Sequence, residues 1–577
     1  MSKEKFLVNE NNGDNSSKIN SMECLENRKK IIENVFPEPL PTPAELEKKY
    51  PPRELKEGAM VTRFAPSPTG FMHLGGLYAA LISEKLAHQS GGLFYLRIED
   101  TDRKREVMGA LELISKSLDR FNINTDEGQD ISGKELGSYG PYKQSERGEV
   151  YKSFIKSLLE RDLAYLCFDT PEELDEMRKQ QEELGIRSGY YGQWAKWRNK
   201  PTQEVLKLLD EKRPYVIRFK SNGDFSKKIA INDVLKGNRE LSENDIDIVI
   251  MKSDGLPTYH LAHVVDDYLM RTTHVIRGDE WLPSLPLHLQ LFEAMGWTPP
   301  KYGHIFPIQK MDGQSKRKLS KRKDPEANVD YYDEQGYPKN AVIEYLLNLA
   351  NSDFEDWKKA TPSKHNNEFI LTLEKLSKSS GPLFDFQKLN DVSKEIIAKY
   401  SAEEVYNEIM IWTEKYEPNL HMLLKENKNY AISFLNIERT DPIKARKDIC
   451  KWSDVKKEFS YFFDQNFSLT KNDALNIING LDLNEVTAIV SSFIKLYSEN
   501  DKKEEWFEKL KEISRNNGYA DSAKEFKKNP EKYKGNVADV AKVLRVLLTG
   551  RIQTPDLYSI MQVMGKERVF KRLSIIS

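Results

Sequence analysis

His73, Gly75 and Gly76 close a run, Phe64–Gly76 (FAPSPTGFMHLGG), that also holds Pro66, Ser67, Pro68, Thr69 and Gly70. Two glycines beside a histidine suit a nucleotide. Lacking Cβ atoms, they let an adenine or ribose approach the backbone closely, and the imidazole can donate to phosphate oxygens as charge builds on them. Far downstream, Lys318–Arg322 (KLSKR) lies inside the basic stretch Lys310–Lys323. Two lysines three residues apart, Lys318 and Lys321, could neutralise a leaving pyrophosphate. Taken singly, the first pattern also fits a plain turn with a surface histidine, and the second fits a solvated charge run.

The elements around these residues make the pair more informative. Val61–Ala65 reads as a short buried strand that the Pro66–Gly70 loop breaks, and Leu74–Ala87 carries Leu77, Ala80 and Leu81 at helical spacing. The alternating Phe94, Leu96 and Ile98 then predict a second strand over Leu93–Asp100, giving a βαβ unit and the start of a parallel sheet. Helix N-termini in such sheets offer free N–H groups to phosphate. Helices over Val150–Arg161 and Pro171–Leu184, with strand-like Tyr215–Lys220 and Asp247–Met251, read as an insertion. The α/β pattern resumes with strands His274–Arg277 and His304–Ile308 around a helix over Leu285–Met295. The basic segment after the last strand is expected to be a mobile loop. From about Ala341 onward amphipathic helices dominate: Ala341–Leu349, Ala402–Tyr416, Leu483–Tyr497, Val537–Leu548 and Leu557–Met564.

Composition sets the outer limits. A chain of 577 residues exceeds what one core usually supports. No apolar run approaches the ~20 residues of a membrane helix, so no membrane partner is expected. The N-terminal lead is Asn-rich, then Pro-rich up to Pro51 and Pro52, without the apolar core of a secretory signal; the cytoplasm is the expected compartment. The 88 basic and 90 acidic residues nearly cancel, which leaves nucleic acid to a local basic groove rather than bulk attraction. Cys24, Cys167 and Cys450 form neither a CxxC pair nor a disulfide framework.

With HLGG at His73–Gly76 and KLSKR at Lys318–Arg322 on either side of an insertion, the chain resembles the class I aminoacyl-tRNA synthetases, through their HIGH and KMSKS motifs. The surrounding sequence is similar to the glutamyl branch: TRFAPSPTG at Thr62–Gly70, LRIEDTD at Leu96–Asp102, GPYKQSER at Gly140–Arg147, PTYHLAHVVDD at Pro257–Asp267 and VIRGDEW at Val275–Trp281. GPLFDFQKL at Gly381–Leu389 and the stretch from Val543 to Arg568 extend the likeness to bacterial glutamyl enzymes.

The resemblance implies an α/β Rossmann-type class I catalytic core, an inserted α+β acceptor-stem domain and a mostly α-helical C-terminal anticodon-binding region. Its expected divisions are an N-terminal extension (1–57), a first core half (58–143), the insertion (144–249), a second core half (250–306), a stem-contact region with the KLSKR loop (307–395) and the helical region (396–577). It implies a two-step reaction: glutamate attacks the α-phosphorus of ATP, and the terminal ribose of tRNA(Glu) then takes the acyl group. His73, Lys318 and Lys321 would be catalytic. Glutamate would be held by Arg63, Ser67, Glu99, Tyr259, His263 and Arg277, with Arg63 suited to a side-chain carboxylate and Glu99 to the ammonium. ATP would meet Thr69, His73, Gly75, Gly76, Glu280, Lys318 and Lys321. Mg2+ is expected with ATP; tRNA(Gln) is left open as a second acceptor.

Two positions depart from the family pattern. His263 stands where several members have asparagine, and four residues after Tyr259 it falls on the same face of a helix. A protonated imidazole there would add a charge, so glutamate affinity would strengthen as pH falls from about 8 toward about 6; the alternative is a neutral His263 that merely packs or bonds to backbone, because Arg63 and Arg277 nearby disfavour the imidazolium. Some relatives begin a zinc site with Cys-x-Cys where this chain has Cys167-Phe168-Asp169, and Tyr190–Arg198 adds no cysteine or histidine. Cys167 is therefore expected to be a core residue and no zinc is expected. A glutaminyl enzyme, a truncated glutamyl-queuosine enzyme and a catalytically dead paralogue are the rivals. The helical C-terminal half disfavours the first two, and the intact charged residues disfavour the third.

Overall fold

The computed structural model describes residues 25–102, 107–130, 132–376, 381–441 and 445–576. The Asn-rich start and Cys24 lie outside them. The chain forms two compact units, one from residues up to Asp330 together with Leu346–Phe384, the other from Tyr331–Tyr345 and Asp385 onward.

In the first unit, Val61–Phe64 pairs in parallel with Leu93–Leu96, joined by the helix Leu74–Gln89, which is buried along most of its length. The extended chain runs on past Leu96 but changes partners: Arg97 N donates to Phe64 O, Ile98 N to Tyr142 O and Glu99 N to Pro66 O. The strand expected to reach Asp100 thus ends early as ladder while delivering Glu99 to the sheet end. A second parallel pair, His274–Gly278 with Lys301–Ile305, flanks the helix Leu285–Met295. The last strand lies three residues earlier than expected, because Lys301 N donates to Thr273 O and Pro307 has no N–H for a ladder. The two pairs meet where Thr273 N donates to Val61 O at 3.0 Å and Val61 N to Thr273 Oγ1 at 2.8 Å.

Between the pairs stand a three-stranded antiparallel sheet, Ala164–Cys167, Val216–Phe219 and Val249–Met251, and a hairpin, Lys228–Asp233 with Gly237–Ser242. Val234 N donates to Tyr302 O at 2.8 Å, fastening the end of that hairpin to the last core strand.

The basic segment is not a simple loop. Gln309–Asp312 pairs with Ser315–Lys318 as an antiparallel hairpin, turned at Gly313 with φ +61°. The Asp312-Gly313 pair is a hairpin signal that the density of charge obscures. KLSKR therefore starts on a strand and continues as a turn.

The described part of the N-terminal lead is anchored to the first unit. After a helix at 25–35, Thr42 caps the helix Pro43–Lys49 in a reciprocal capping box with Glu45. Buried Tyr50 donates to Gly140 O at 3.0 Å, Arg271 donates to Tyr50 O, and Arg53 grips both oxygens of Glu127 at 2.8 Å.

The second unit is helical, without strands among its described residues. Ala402–Tyr416, Leu483–Leu496 and Val537–Thr549 surround a core that includes Phe434, Phe459 and Phe462. The last long helix, Leu557–Leu573, breaks at Gly565, one residue past the expected end at Met564. Among the described residues no single helix is long and apolar enough to cross a membrane.

Candidate active site

A cavity of about 410 Å³ opens at the carboxyl ends of the parallel strands. Arg63, Ser67, His73, Gly75, Gly76, Glu99, Tyr259, Arg277, Glu280 and Lys318 line it. Thr69, His263 and Lys321 do not.

His73 is the N-cap of the helix Leu74–Gln89, and its Nδ1 accepts from Gly75 N at 2.9 Å. That bond puts the ring hydrogen on Nε2. Burial, with Lys321 and Lys318 adding to it, pushes the imidazole down to about 4, so it is a neutral donor at physiological pH. A Cβ on Gly75 would sit 3.1 Å from His73 Nδ1, and one on Gly76 would rest 3.5 Å from the Phe64 ring. The glycines thus keep both the cap and the cavity wall clear.

At the other end, charge is organised by two adjacent carboxylates that the linear motifs did not single out. Asp267 Oδ1 accepts from Arg97 at 2.6 Å and Arg63 Nε at 3.3 Å; Asp266 accepts from Arg147 at 2.7 Å, Tyr151 at 2.8 Å and Gln144 at 2.9 Å. Arg97 also reaches Glu99 at 3.1 Å. Burial opposes ionisation of Asp267, but Arg97 and Arg63 override it and hold the carboxyl well below its usual range. Glu99 goes the other way: burial raises it despite Arg97 and Arg63, so a substrate ammonium arriving beside it would favour its charged form. The Asp-Asp pair closing PTYHLAHVVDD was the available signal, since two neighbouring buried carboxylates each require cationic partners.

Tyr259 opens the helix Tyr259–Leu269 and packs at 4.3 Å against Trp281. His263 lies behind it, its ring stacked on Tyr259 at 5.5 Å, with Nδ1 2.9 Å from Asp267 Oδ2 and Nε2 3.1 Å from Tyr302 Oη. The shared helix face is as expected, but the proposed charge is not. Burial pushes His263 down to about 3, with Asp267 opposing and Arg277 and Arg63 reinforcing. Held neutral between pH 6 and 8 by burial and lying outside the cavity lining, His263 fits the packing alternative better than the titrating contact.

The KLSKR turn is pinned by Asp324, which accepts from both terminal nitrogens of Arg317 (2.6 and 2.8 Å) and from Ser320 N (2.9 Å). Lys318 Nζ stands 3.4 Å from Glu280 at the cavity mouth. Lys321 instead donates to the Phe71 carbonyl.

Cys167 is buried, its Sγ 3.5 Å from Tyr190 Oη, and Asp169 accepts from Tyr190 at 2.6 Å and Trp197 Nε1 at 2.9 Å. In the helical unit, a cavity of about 470 Å³ is lined by Arg446, Lys447, Tyr461 and Arg551 among others. Arg446 is buried against the Phe459 ring, and NH1 and NH2 of its guanidinium have no hydrogen-bond partner, nor has Tyr461 Oη.

Residues 59–391 match the family of class I tRNA synthetases (E and Q), catalytic domain, and residues 443–576 match an anticodon binding domain. The glutamate–tRNA ligase of Clostridium perfringens (strain 13 / Type A) is 49% identical over 539 residues, covering 93% of this chain and 98% of the relative. The chain belongs to the glutamate–tRNA ligases. Another relative of that name, from Acetivibrio thermocellus, is 47% identical over 91% of this chain and 95% of its own length. A crystal structure of a glutamate tRNA ligase from Elizabethkingia meningosepticum, in complex with its amino acid, superposes with a TM-score of 0.70 at 30% identity, covering 90% of this chain and 99% of that one. A glutamate–tRNA ligase of class I uses ATP and binds transfer RNA, and the anticodon-binding match, residues 443–576, falls within the helical second unit.

Proposed function

We propose that the cavity activates L-glutamate with ATP and passes the glutamyl group to the 3′-terminal ribose of tRNA(Glu), with roles divided between its two ends. One observation carries the division: a neutral Nε2–H donor, His73, and the ammonium of Lys318 flank the end beside Gly75 and Gly76, while Arg63, Glu99, Tyr259 and Arg277 gather at the other. The first set suits ATP phosphates and ribose, with Glu280 near Lys318. The second suits an amino acid bearing two carboxylates and one ammonium. Attack by the α-carboxylate on the α-phosphorus needs no protein nucleophile; the residues hold the reactants in line and stabilise charge on the departing pyrophosphate. Lys321 joins when the KLSKR turn moves.

Among the described residues no group of three histidine, cysteine or carboxylate side chains is arranged to hold a metal ion. Mg2+ usually binds through substrate phosphates, so it would arrive with the nucleotide, and no step rests on it. The inserted segment 144–249 would receive the acceptor end, and the helical region 396–577 would read the anticodon. The cavity beside Arg446 is a candidate for an unstacked base: NH1 and NH2 of Arg446 lie buried without partners behind its wall while Nε is held by Asp448, so a base acceptor would reach them only once the guanidinium is uncovered.

Aminoacylation of purified tRNA(Glu) and tRNA(Gln) with labelled glutamate tests the function. Charging of tRNA(Glu) is expected, and its absence with active tRNA would overturn the proposal. Charging of tRNA(Gln) as well would widen the acceptor range.

A further inference from the structure

Arg277 lines the amino-acid end of the cavity, yet every hydrogen-bond partner it has among the described residues is neutral. Its NH1 meets Tyr259 Oη at 3.4 Å, NH2 meets Trp281 O at 3.4 Å, and both face His288 Nδ1 at 3.3 Å; Nε donates to His304 Nε2 at 2.9 Å. Arg63, by contrast, already shares Asp267 with Arg97. Arg277 is thus the cavity arginine whose charge awaits a carboxylate.

Its neutral partners are themselves ordered. An imidazole that accepts from Arg277 through one nitrogen must carry its single hydrogen on the other. His304 accepts at Nε2, so its hydrogen lies on Nδ1, 2.5 Å from Asp233 Oδ2. His288 accepts at Nδ1, so its Nε2–H points at His260 Nδ1, 3.0 Å away. Burial, with Arg277 contributing, lowers all three imidazoles. Asp233 itself ends the Lys228–Asp233 strand of the inserted hairpin. Its Oδ1 accepts from Leu235 N at 2.9 Å, Lys236 N at 2.8 Å and His304 N at 3.3 Å, which leaves Oδ2 to the imidazole.

We propose that Asp233 is a positioning residue for glutamate: by holding the His304 hydrogen on Nδ1 it keeps Nε2 an acceptor for Arg277, which then presents an uncompensated guanidinium to a substrate carboxylate. This rests on the assignment of Arg277 to that carboxylate. The inserted hairpin would thereby govern recognition of the amino acid without touching it. An unneutralised cation also favours a carboxylate over an uncharged amide of the same shape, so the arrangement supplies discrimination against glutamine.

Asp233→Asn separates position from bulk structure. Its carbonyl oxygen would stay with the three backbone N–H groups, turning the amide N–H toward His304. Nδ1 must then accept, and the hydrogen moves to Nε2, where it opposes the Arg277 Nε–H. The expected result, measured with tRNA present, is a glutamate KM raised about tenfold or more, the scale of one hydrogen bond to a charged group, with ATP KM and melting temperature nearly unchanged. His304→Phe, which removes the acceptor and keeps a ring, should raise glutamate KM similarly and serves if the first variant does not fold. In an Arg277→Gln background Asp233→Asn should add nothing further. Equal effects in both backgrounds, or parallel rises in glutamate and ATP KM, would make Asp233 merely structural and overturn the inference. If Arg277→Gln alone left glutamate KM unchanged, the assignment of Arg277 would fall instead. Selective ¹⁵N-histidine spectra supply a direct readout, since one Nδ1–H ring should convert to Nε2–H in Asp233→Asn.

Discussion

Lys321 donates from Nζ to the Phe71 carbonyl oxygen at 2.9 Å, with its ammonium 4.8 Å from the centre of the Phe71 ring. Burial lowers its affinity for a proton, and the contact holds it off the cavity that Lys318 already lines. Leaving would cost Lys321 a charge-assisted hydrogen bond and a cation–π contact, so in the proposed role, where the KLSKR turn delivers a second cation, the nucleotide phosphates must replace both.

Replacing Lys321 by alanine should therefore slow glutamyl-adenylate formation by roughly 10²–10³, the scale for loss of one preorganised charge-stabilising donor, with a smaller effect on glutamate KM. Single-turnover adenylate formation in the presence of tRNA measures this. An unchanged rate would remove Lys321 from the leaving-group role.

His263 leads to an opposite expectation from the one its residue type suggests. Its imidazole, lowered to about 3, stays neutral from pH 8 to 6, so glutamate Kd should show no histidine titration there, and His263→Asn should give a parallel profile. A nonreactive ATP analogue with tRNA present allows the measurement. The sign for stability is equally defined: an unfolded histidine takes up its proton near ~6.5, so His263 costs nothing above that pH and destabilises progressively as pH falls toward 3. A rise in affinity toward pH 6 that disappears in His263→Asn would contradict this.

Arg446→Gln should weaken tRNA(Glu) binding by roughly tenfold, as expected for loss of a charged contact to a base, while glutamate KM is conserved. Filter binding at fixed salt provides the test. Unaltered tRNA affinity would exclude the Arg446 cavity as a base site.

Much of the cavity was legible because its residues sit in contiguous motifs at strand and helix ends: Arg63, Glu99, Tyr259, Arg277 and His73 all line it or cap its helix. What the linear pattern could not carry was pairing across segments. Asp266 and Asp267 draw on Arg63, Arg97, Gln144, Arg147 and Tyr151, residues separated by more than a hundred positions from them. The charge state of His263 likewise depends on burial rather than on residue type. The basic hairpin was missed although Asp312-Gly313 marked it, and the last core strand was displaced because the contiguous apolar run Ile305, Phe306, Pro307 and Ile308 continues after the ladder has ended at Ile305.

The anchored lead has a consequence for how the polypeptide is made. Tyr50 and Arg53 are synthesised early, but Arg271, which donates to the Tyr50 carbonyl, lies 221 residues downstream. At ~5–20 residues per second the ribosome needs on the order of ten to forty seconds to supply it. During that interval Tyr50, fully buried in the finished protein, has no complete site to enter. The segment carrying Tyr50 and Arg53 thus completes its docking only after Arg271 has emerged. Conditions that slow elongation should lengthen its exposure to proteases and chaperones more than that of any segment whose partners are local.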